Sequence, residues 1–236
     1  MPLRIGHRGA AGTHPENTMV SFQRAMELGV DGIEFDVHRT LDGQFVVIHD
    51  PTVDRTTNGS GMIMAMELSE IRALDAGVKK GAEFAGQRIP TLQELLRSTP
   101  ENLGLFLELK AGSIHYPGIE AELVELLRSE GAIGRVQISS FDHQALQLLH
   151  GIAPEIPLGM LYADNLVDPV RLAQEIGAEA LHPAWEWVTE ELVEKAHAAG
   201  LKVNTWTVNH PIMIARVKAF GVDGIISDFP HLLQEA

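Results

Sequence analysis

At 236 residues the chain suits one large α/β domain better than two small ones, and 45% hydrophobic with 21% charged residues supplies an ordinary globular core. A formal net charge of −14 argues against general affinity for nucleic acid or anionic membrane surfaces, so an anionic substrate would need a bound cation or local basic residues. The absence of cysteine excludes disulfides and thiolate metal sites. No apolar run approaches the ~18 to 20 residues of a membrane span. The start, Met1-Pro-Leu-Arg-Ile-Gly-His-Arg-Gly9, lacks the apolar stretch of a secretory signal. A cytoplasmic protein without stable membrane association is therefore expected, with homo-oligomer formation left open.

In chain order, the first strand-like run is Arg4–His7, followed by a helix opened by Pro15-Glu16-Asn17-Thr18 and ended by Gly29. In that opening Asn17 or Thr18 is expected to cap the helix amides. A second strand, Gly32–Val37, is followed after only Leu41-Asp42-Gly43 by the run Phe45–His49. That link is far shorter than the roughly dozen residues a parallel crossover needs, and Asp-Gly is a hairpin-turn signal. Phe45–His49 therefore reads as an antiparallel arm returning along the second strand, with His49 about level with Asp36. Pro51 to Pro90 breaks the rhythm with Asn58-Gly-Ser-Gly61, a short helix near Glu67–Leu74 and a Gly-rich stretch. A loop-rich insertion of this length commonly forms a lid or a substrate-facing wall.

From there strand and helix alternate. The strand-like runs are Leu105–Leu109, Val136–Ser139, Leu158–Tyr162, Ala180–His182, Lys202–Val208 and Gly224–Ser227. Between them lie about 10 to 15 residues with apolar spacing of three and four, such as Glu120–Arg128. Gly131, Gly177, Gly200 and Gly221, like Gly29, stand where helices end. A faint internal echo, Leu28–Asp36 against Phe220–Asp228, supports repeated units. Eight βα units with one arm predict an α/β fold of the (β/α)8 TIM-barrel class, a single domain over residues 1–236 with a small insertion after the second strand.

In such a barrel the site is built at the carboxyl ends of the strands. Those ends carry His7 and Arg8, Glu34 and Asp36, His49 and Asp50 on the arm, Glu108 and Lys110, and later Gln137, Ser139, His182, Asn204, Trp206 and Asp228. Glu34 and Asp36, two apart on a strand, share a face, as do Glu108 and Lys110. Three inward carboxylates repel one another, and a divalent cation removes the difficulty. All-oxygen ligation suits a hard ion, Mg²⁺ or Ca²⁺, rather than zinc. The structural alternative is a buried salt-bridge cluster with Arg8 and Lys110. His7 and His49 arrive from different segments, and two imidazoles of near-neutral pKa can act as base and acid at one phosphorus centre. Trp206 is open between core packing and a wall of the substrate pocket. His14, His38, His115, His143, His150, His197, His210 and His231 read as surface residues, and His182 is undecided.

Together His7-Arg8-Gly9, Pro15-Glu16-Asn17-Thr18, Glu34-Phe-Asp-Val37, His49-Asp50, Arg55-Thr-Thr-Asn-Gly59, Glu108-Leu-Lys110, Ser139-Ser-Phe141, Trp206-Thr-Val208 and Asp223–Asp228 resemble, in order and across nearly the whole chain, the glycerophosphodiester phosphodiesterases. The length resembles the short cytosolic bacterial branch. The resemblance implies a barrel with a small insertion at about 51–90 and a divalent metal held by Glu34, Asp36 and Glu108. It further implies His7 and His49 as the acid/base pair, with Arg8 and Lys110 on the substrate phosphate. Ala111 departs from the pattern, which often has proline there, and an altered loop is expected. The implied activity is metal-dependent hydrolysis of a small glycerophosphodiester, such as glycerophosphocholine or glycerophosphoethanolamine, to glycerol 3-phosphate and an alcohol. The first nucleophile is either water or the neighbouring glycerol hydroxyl. Rival readings are a lipid-cleaving phosphodiesterase similar to a phosphatidylinositol-specific phospholipase C or a sphingomyelinase D, a non-catalytic glycerol-phosphate sensor, and a metal-dependent sugar isomerase. Phe84 is the one aromatic of the insertion, which with the acidity disfavours the lipid readings.

Overall fold

Residues 1–235 are described by a computed structural model of the chain. Strands β1 (Leu3–His7) and β2 (Gly32–Arg39) are followed by the arm β3 (Phe45–Val47). Then come β4 (Gly104–Leu109), β5 (Val136–Ser140), β6 (Leu158–Tyr162), β7 (Ala180–Pro183), β8 (Lys202–Thr205) and β9 (Gly224–Ser227). The hydrogen-bonded order is β1-β9-β8-β7-β6-β5-β4-β2, and β1 pairs back onto β2 through Ile5↔Gly32 and His7↔Glu34. Eight parallel strands thus close a ring, a (β/α)8 TIM barrel. Closure leaves the ring no free edge, and β3 pairs with β2, antiparallel through Val37↔Val47, with one further bridge from Val46 to Thr91 on its other side. By that register His49 stands opposite Phe35, one residue from the level expected for it.

The ring is wrapped by α1 (Met19–Glu27), α3 (Leu92–Ser98) after the short α2 (Leu68–Arg72), α4 (Ile119–Ser129), α5 (His143–Ile152), α6 (Pro169–Ile176), α7 (Glu190–Ala198) and α8 (Pro211–Ala219). A last turn, α9 (Leu232–Glu235), ends the described chain. Local chemistry starts them. Thr91 and Glu94 form a reciprocal capping box, Asp142 and Thr189 accept from backbone amides, and Pro169 follows the capping Asp168. The expected terminating glycines all turn left-handed, Gly177 with φ 76°. Fully buried Phe35, Leu105, Leu107 and Ile138 of the strands meet Phe22, Leu95, Leu123 and Leu146 of the helices, forming one core between barrel and helices.

The run Lys202–Val208 is continuous strand only as far as Thr205; Trp206 keeps a single parallel bridge to Ala184, and the chain beyond it belongs to the loop at the barrel mouth. Residues between β3 and α3 build a second, smaller core from Val46, Ile48, Val53, Ile63, Ile71 and Ile89. The insertion is therefore anchored on the outer face of the arm. No helix among the described residues is long and apolar enough to cross a membrane.

Candidate active site

The residues at the carboxyl ends of β1, β2 and β4, with the arm, converge on one cavity of about 80 Å³. His7, Arg8, Glu34, His49, Glu108, Lys110 and Trp206 line it. Its size is below the ~300 Å³ at which drug-sized ligand sites begin, so the inner space suits a small polar group. Period-two alternation turns Glu34 and Asp36 inward from β2, and the register Asp36↔Glu108 brings the third carboxylate level with them. Asp36 is 0% exposed and Glu34 and Glu108 are 6% and 8% exposed. One oxygen from each lies within 4.8 Å of the others.

Such a cluster cannot hold three unscreened charges. Burial, then the charges of Asp36 and Glu108, push the Glu34 carboxyl well up. Burial and then Asp36 raise Glu108 to about 7. At Asp36 the effect of burial is overcome by Arg8 and then Lys110, and its carboxyl falls to about 2. The Arg8 Nε lies 3.1 Å from Asp36 Oδ2, and the Lys110 Nζ donates to Glu108 Oε1 at 2.6 Å. Asn17 adds its amide to Asp36 Oδ2 at 2.8 Å. Asp36 Oδ1 is left buried with no hydrogen-bond partner, 3.5 Å from Lys110 Nζ. An all-oxygen set with an unpartnered, ionised buried oxygen fits a hard divalent cation better than a closed salt-bridge cluster, in which every oxygen would be satisfied.

Each histidine is held by its own carboxylate. His7 Nδ1 is 2.6 Å from Asp228 Oδ1, and Asn209 Nδ2 donates to the other oxygen at 2.6 Å. His49 Nδ1 is 2.7 Å from Asp50 Oδ1. A carboxylate at Nδ1 places the proton there and leaves Nε2 as the working nitrogen. His7 Nε2 lies 3.8 Å from Glu34 Oε2. Burial chiefly, helped by the Arg8 and Lys110 charges, lowers the pKa of His49. The turn after β1 is tight. Arg8 and Gly9 have φ of 50° and 88°, and the Arg8 amide donates to Glu34 Oε2 at 3.1 Å. An uncommon left-handed arginine is tolerated here because its amide and side chain are both fixed.

The profile of the Glycerophosphoryl diester phosphodiesterase family matches residues 7–232. The chain belongs to that family. A glycerophosphodiester phosphodiesterase of Caldanaerobacter subterraneus subsp. tengcongensis is 46% identical over 98% of this chain and 96% of its own length. Among solved structures, an Oleispira antarctica phosphodiesterase in complex with the product sn-glycerol-3-phosphate superposes with a TM-score of 0.93. It is 32% identical, and the match covers 100% of this chain and 96% of that one. The Agrobacterium tumefaciens C58 glycerophosphodiester phosphodiesterase has a TM-score of 0.89 at 30% identity, with both chains fully covered. Membership makes the protein a phosphoric diester hydrolase acting on glycerophosphodiesters.

Within this phosphodiesterase several sequence expectations need correction. Asn17 does not cap α1: it has φ 56° and its side chain is spent on Asp36, while Thr18 Oγ1 bonds the Pro15 carbonyl. His38 is buried rather than on the surface, set between the Tyr116 hydroxyl and the His49 carbonyl at 3.0 Å each. Burial takes its pKa down to about 4. His14, His143 and His231 are half-buried, and His143 Nε2 bonds the Leu161 carbonyl at 2.8 Å. Gln137 and Asn204 belong a layer below the mouth, grouped with His182 inside the barrel and reaching a cavity at its other end. His182 is 1% exposed and burial depresses its pKa to about 3. Trp206 is half-buried at the cavity wall, its Nε1 on the His182 carbonyl at 2.8 Å and its ring edge-on to Phe141. Strand periodicity and spacing assign no role to the partners Asp228, Asn209, Asp50, Arg55 and Glu16. For Asp50, its place beside His49 was the available signal.

Proposed function

We propose that the chain hydrolyses small glycerophosphodiesters such as glycerophosphocholine or glycerophosphoethanolamine, releasing glycerol 3-phosphate and the alcohol, with Mg²⁺ or Ca²⁺ held by Glu34, Asp36 and Glu108. The observation that carries this reading is the buried trio of carboxylates, with an unpartnered Asp36 oxygen, between two imidazoles each anchored through Nδ1. A divalent cation there supplies Lewis-acid polarisation of a phosphoryl oxygen. Arg8 and Lys110, both at the cavity, neutralise the phosphate monoanion and the charge that develops on its non-bridging oxygens. Nε2 of one imidazole takes a proton from the attacking water, and Nε2 of the other gives a proton to the departing alcohol oxygen; if the neighbouring glycerol hydroxyl attacks first, the same pair serves a second round in which water opens the cyclic phosphate to glycerol 3-phosphate. A P–O bond forms to the nucleophile and the P–O bond to the alcohol breaks, so the charge is conserved. Trp206 and Phe141 form an apolar wall against which the carbon skeleton of the substrate packs.

The test is coupled detection of glycerol 3-phosphate from glycerophosphocholine, with and without EDTA, in wild type and His49→Ala. Release that stops with EDTA, returns with excess Mg²⁺ or Ca²⁺ and collapses in the variant supports every element. Unchanged release in EDTA removes the metal from the reading, and unchanged release in His49→Ala removes the imidazole.

A further inference from the structure

From the insertion, Arg55 reaches two carboxylates that each contact a group of the site. Arg55 lies in the loop after the arm, and its planar guanidinium grips two carboxylates at once. Nε and Nη2 donate to the two oxygens of Asp50 at 2.7 and 3.0 Å, while Nη1 and Nη2 donate to those of Glu16 at 2.7 and 2.8 Å. Each of these carboxylates has a second partner in the site. Asp50 Oδ1 meets His49 Nδ1 at 2.7 Å, and Glu16 Oε1 accepts from Arg8 Nη1 at 2.8 Å. An unbroken chain therefore runs His49–Asp50–Arg55–Glu16–Arg8.

We propose that Arg55 is a positioning residue for the phosphodiesterase reaction: by clamping Asp50 against Glu16 it fixes the ring of His49. The proposal rests on His49 acting as proposed above. Among the described residues, Asp50 receives side-chain hydrogen bonds from His49 and Arg55 alone. Asp50 follows His49 directly and lies beyond the end of β3, so the sheet does not orient it. Without Arg55 its carboxylate is free to rotate away, and His49 loses the contact that sets both its tautomer and its direction. Arg55 also holds the Asp50 carboxyl well below the usual range, which keeps it an acceptor. A lysine at this place would keep the charge but not the fork, since an ammonium cannot present parallel donors to two carboxylates. The clamp also gives the insertion a part in the chemistry, because the small core of Val53, Ile63 and Ile71 sets where the Arg55 loop stands.

The experiment compares Arg55→Ala, Arg55→Lys, His49→Ala and Arg72→Ala by steady-state kinetics on glycerophosphocholine, with melting temperatures. Arg72 is the structural control, since it ties the same insertion to α3 through the Ile89 carbonyl and Glu94 without touching the chain of groups. Partners one step behind a working group commonly matter by about 10–100-fold, so Arg55→Ala should lose about that factor in kcat with KM within about threefold. Arg55→Lys should lie between it and wild type. Guanidinium added at about 50 mM, far below denaturing levels, should restore several-fold activity to Arg55→Ala where the same concentration of sodium chloride does not. Arg72→Ala should melt lower but keep kcat within about twofold. Wild-type turnover in Arg55→Ala beside collapse in His49→Ala overturns the inference alone. An equal kcat loss in Arg72→Ala with no guanidinium rescue overturns it too, since general loosening then explains the loss. Wild-type turnover in His49→Ala overturns the reading on which it rests.

Discussion

Binding a divalent cation to the metal-free protein is expected to expel protons, and the affinity should climb with pH. With every group ionised the cluster carries three negative charges, from Glu34, Asp36 and Glu108, against two positive ones on Arg8 and Lys110. Asp36, at about 2, stays ionised at any working pH. Glu108, raised to about 7 by burial and by Asp36, is about ten parts protonated to one ionised at pH 6 and the reverse at pH 8. Freeing this one carboxylate makes the apparent affinity about tenfold higher at pH 8 than at pH 6, or ~1.4 kcal/mol. Glu34, shifted in the same direction by burial and by the charges of Asp36 and Glu108, steepens the dependence further, so the whole change is at least about tenfold. Titration calorimetry of Mg²⁺ and Ca²⁺ at about pH 6.5, in two buffers of different ionisation heat, should show protons released on binding, about 0.8 per ion from Glu108 alone. Heats that do not depend on the buffer, with equal affinities at pH 6 and 8, would refute the reasoning. Stability follows the same linkage. Because the Glu108 pKa is raised from its ordinary 4.5, the stability it lends is present below that value and lost as pH rises through about 7. Metal-free protein should therefore melt lower at about pH 8 than at about pH 5 from this group, and added cation should reverse the trend.

Three substitutions probe the surrounding contacts. Asp228→Asn, which removes the carboxylate 2.6 Å from His7 Nδ1, should cut kcat by about 10²–10⁴-fold at nearly unchanged melting temperature, and a kcat near wild type would show that Asp228 does not orient the ring. Asn17→Ala takes one donor from Asp36 and puts alanine at φ 56°, so cation affinity by calorimetry should weaken by about tenfold or more; an unaltered Kd would mean that Arg8 and Lys110 suffice to hold Asp36. At Gly9, with φ 88°, a Cβ would sit 2.5 Å from Ser21 Oγ and 2.6 Å from the Ser21 carbonyl carbon. Gly9→Ala should accordingly lose about 2–4 kcal/mol in urea unfolding, and a loss under ~1 kcal/mol would show that the turn can move.

What could be read from the chain alone follows from periodicity. Alternating strand and helix patterns determined the barrel, and spacing by two put Glu34 with Asp36 and Glu108 with Lys110 on inward faces, because a strand sends successive side chains to opposite sides. The Asp42-Gly43 turn placed His49 within one residue of its level, because hairpin register depends on the turn. Partners across the ring were not legible. Asp228 meets His7 from 221 residues away only because β9 lies beside β1 when the barrel closes. His38 looked like a surface histidine until Tyr116, from the loop after β4, covered it. Asn17 carried a capping signal, yet a left-handed backbone aims its amide at Asp36. Arg55 stood in a loop-rich insertion whose course depends on its own small core. Local pattern decides which face a side chain takes. Only closure of the ring and packing of the insertion decide which charged groups share that face, since those contacts are set by the sum of tertiary burial rather than by neighbours in the chain.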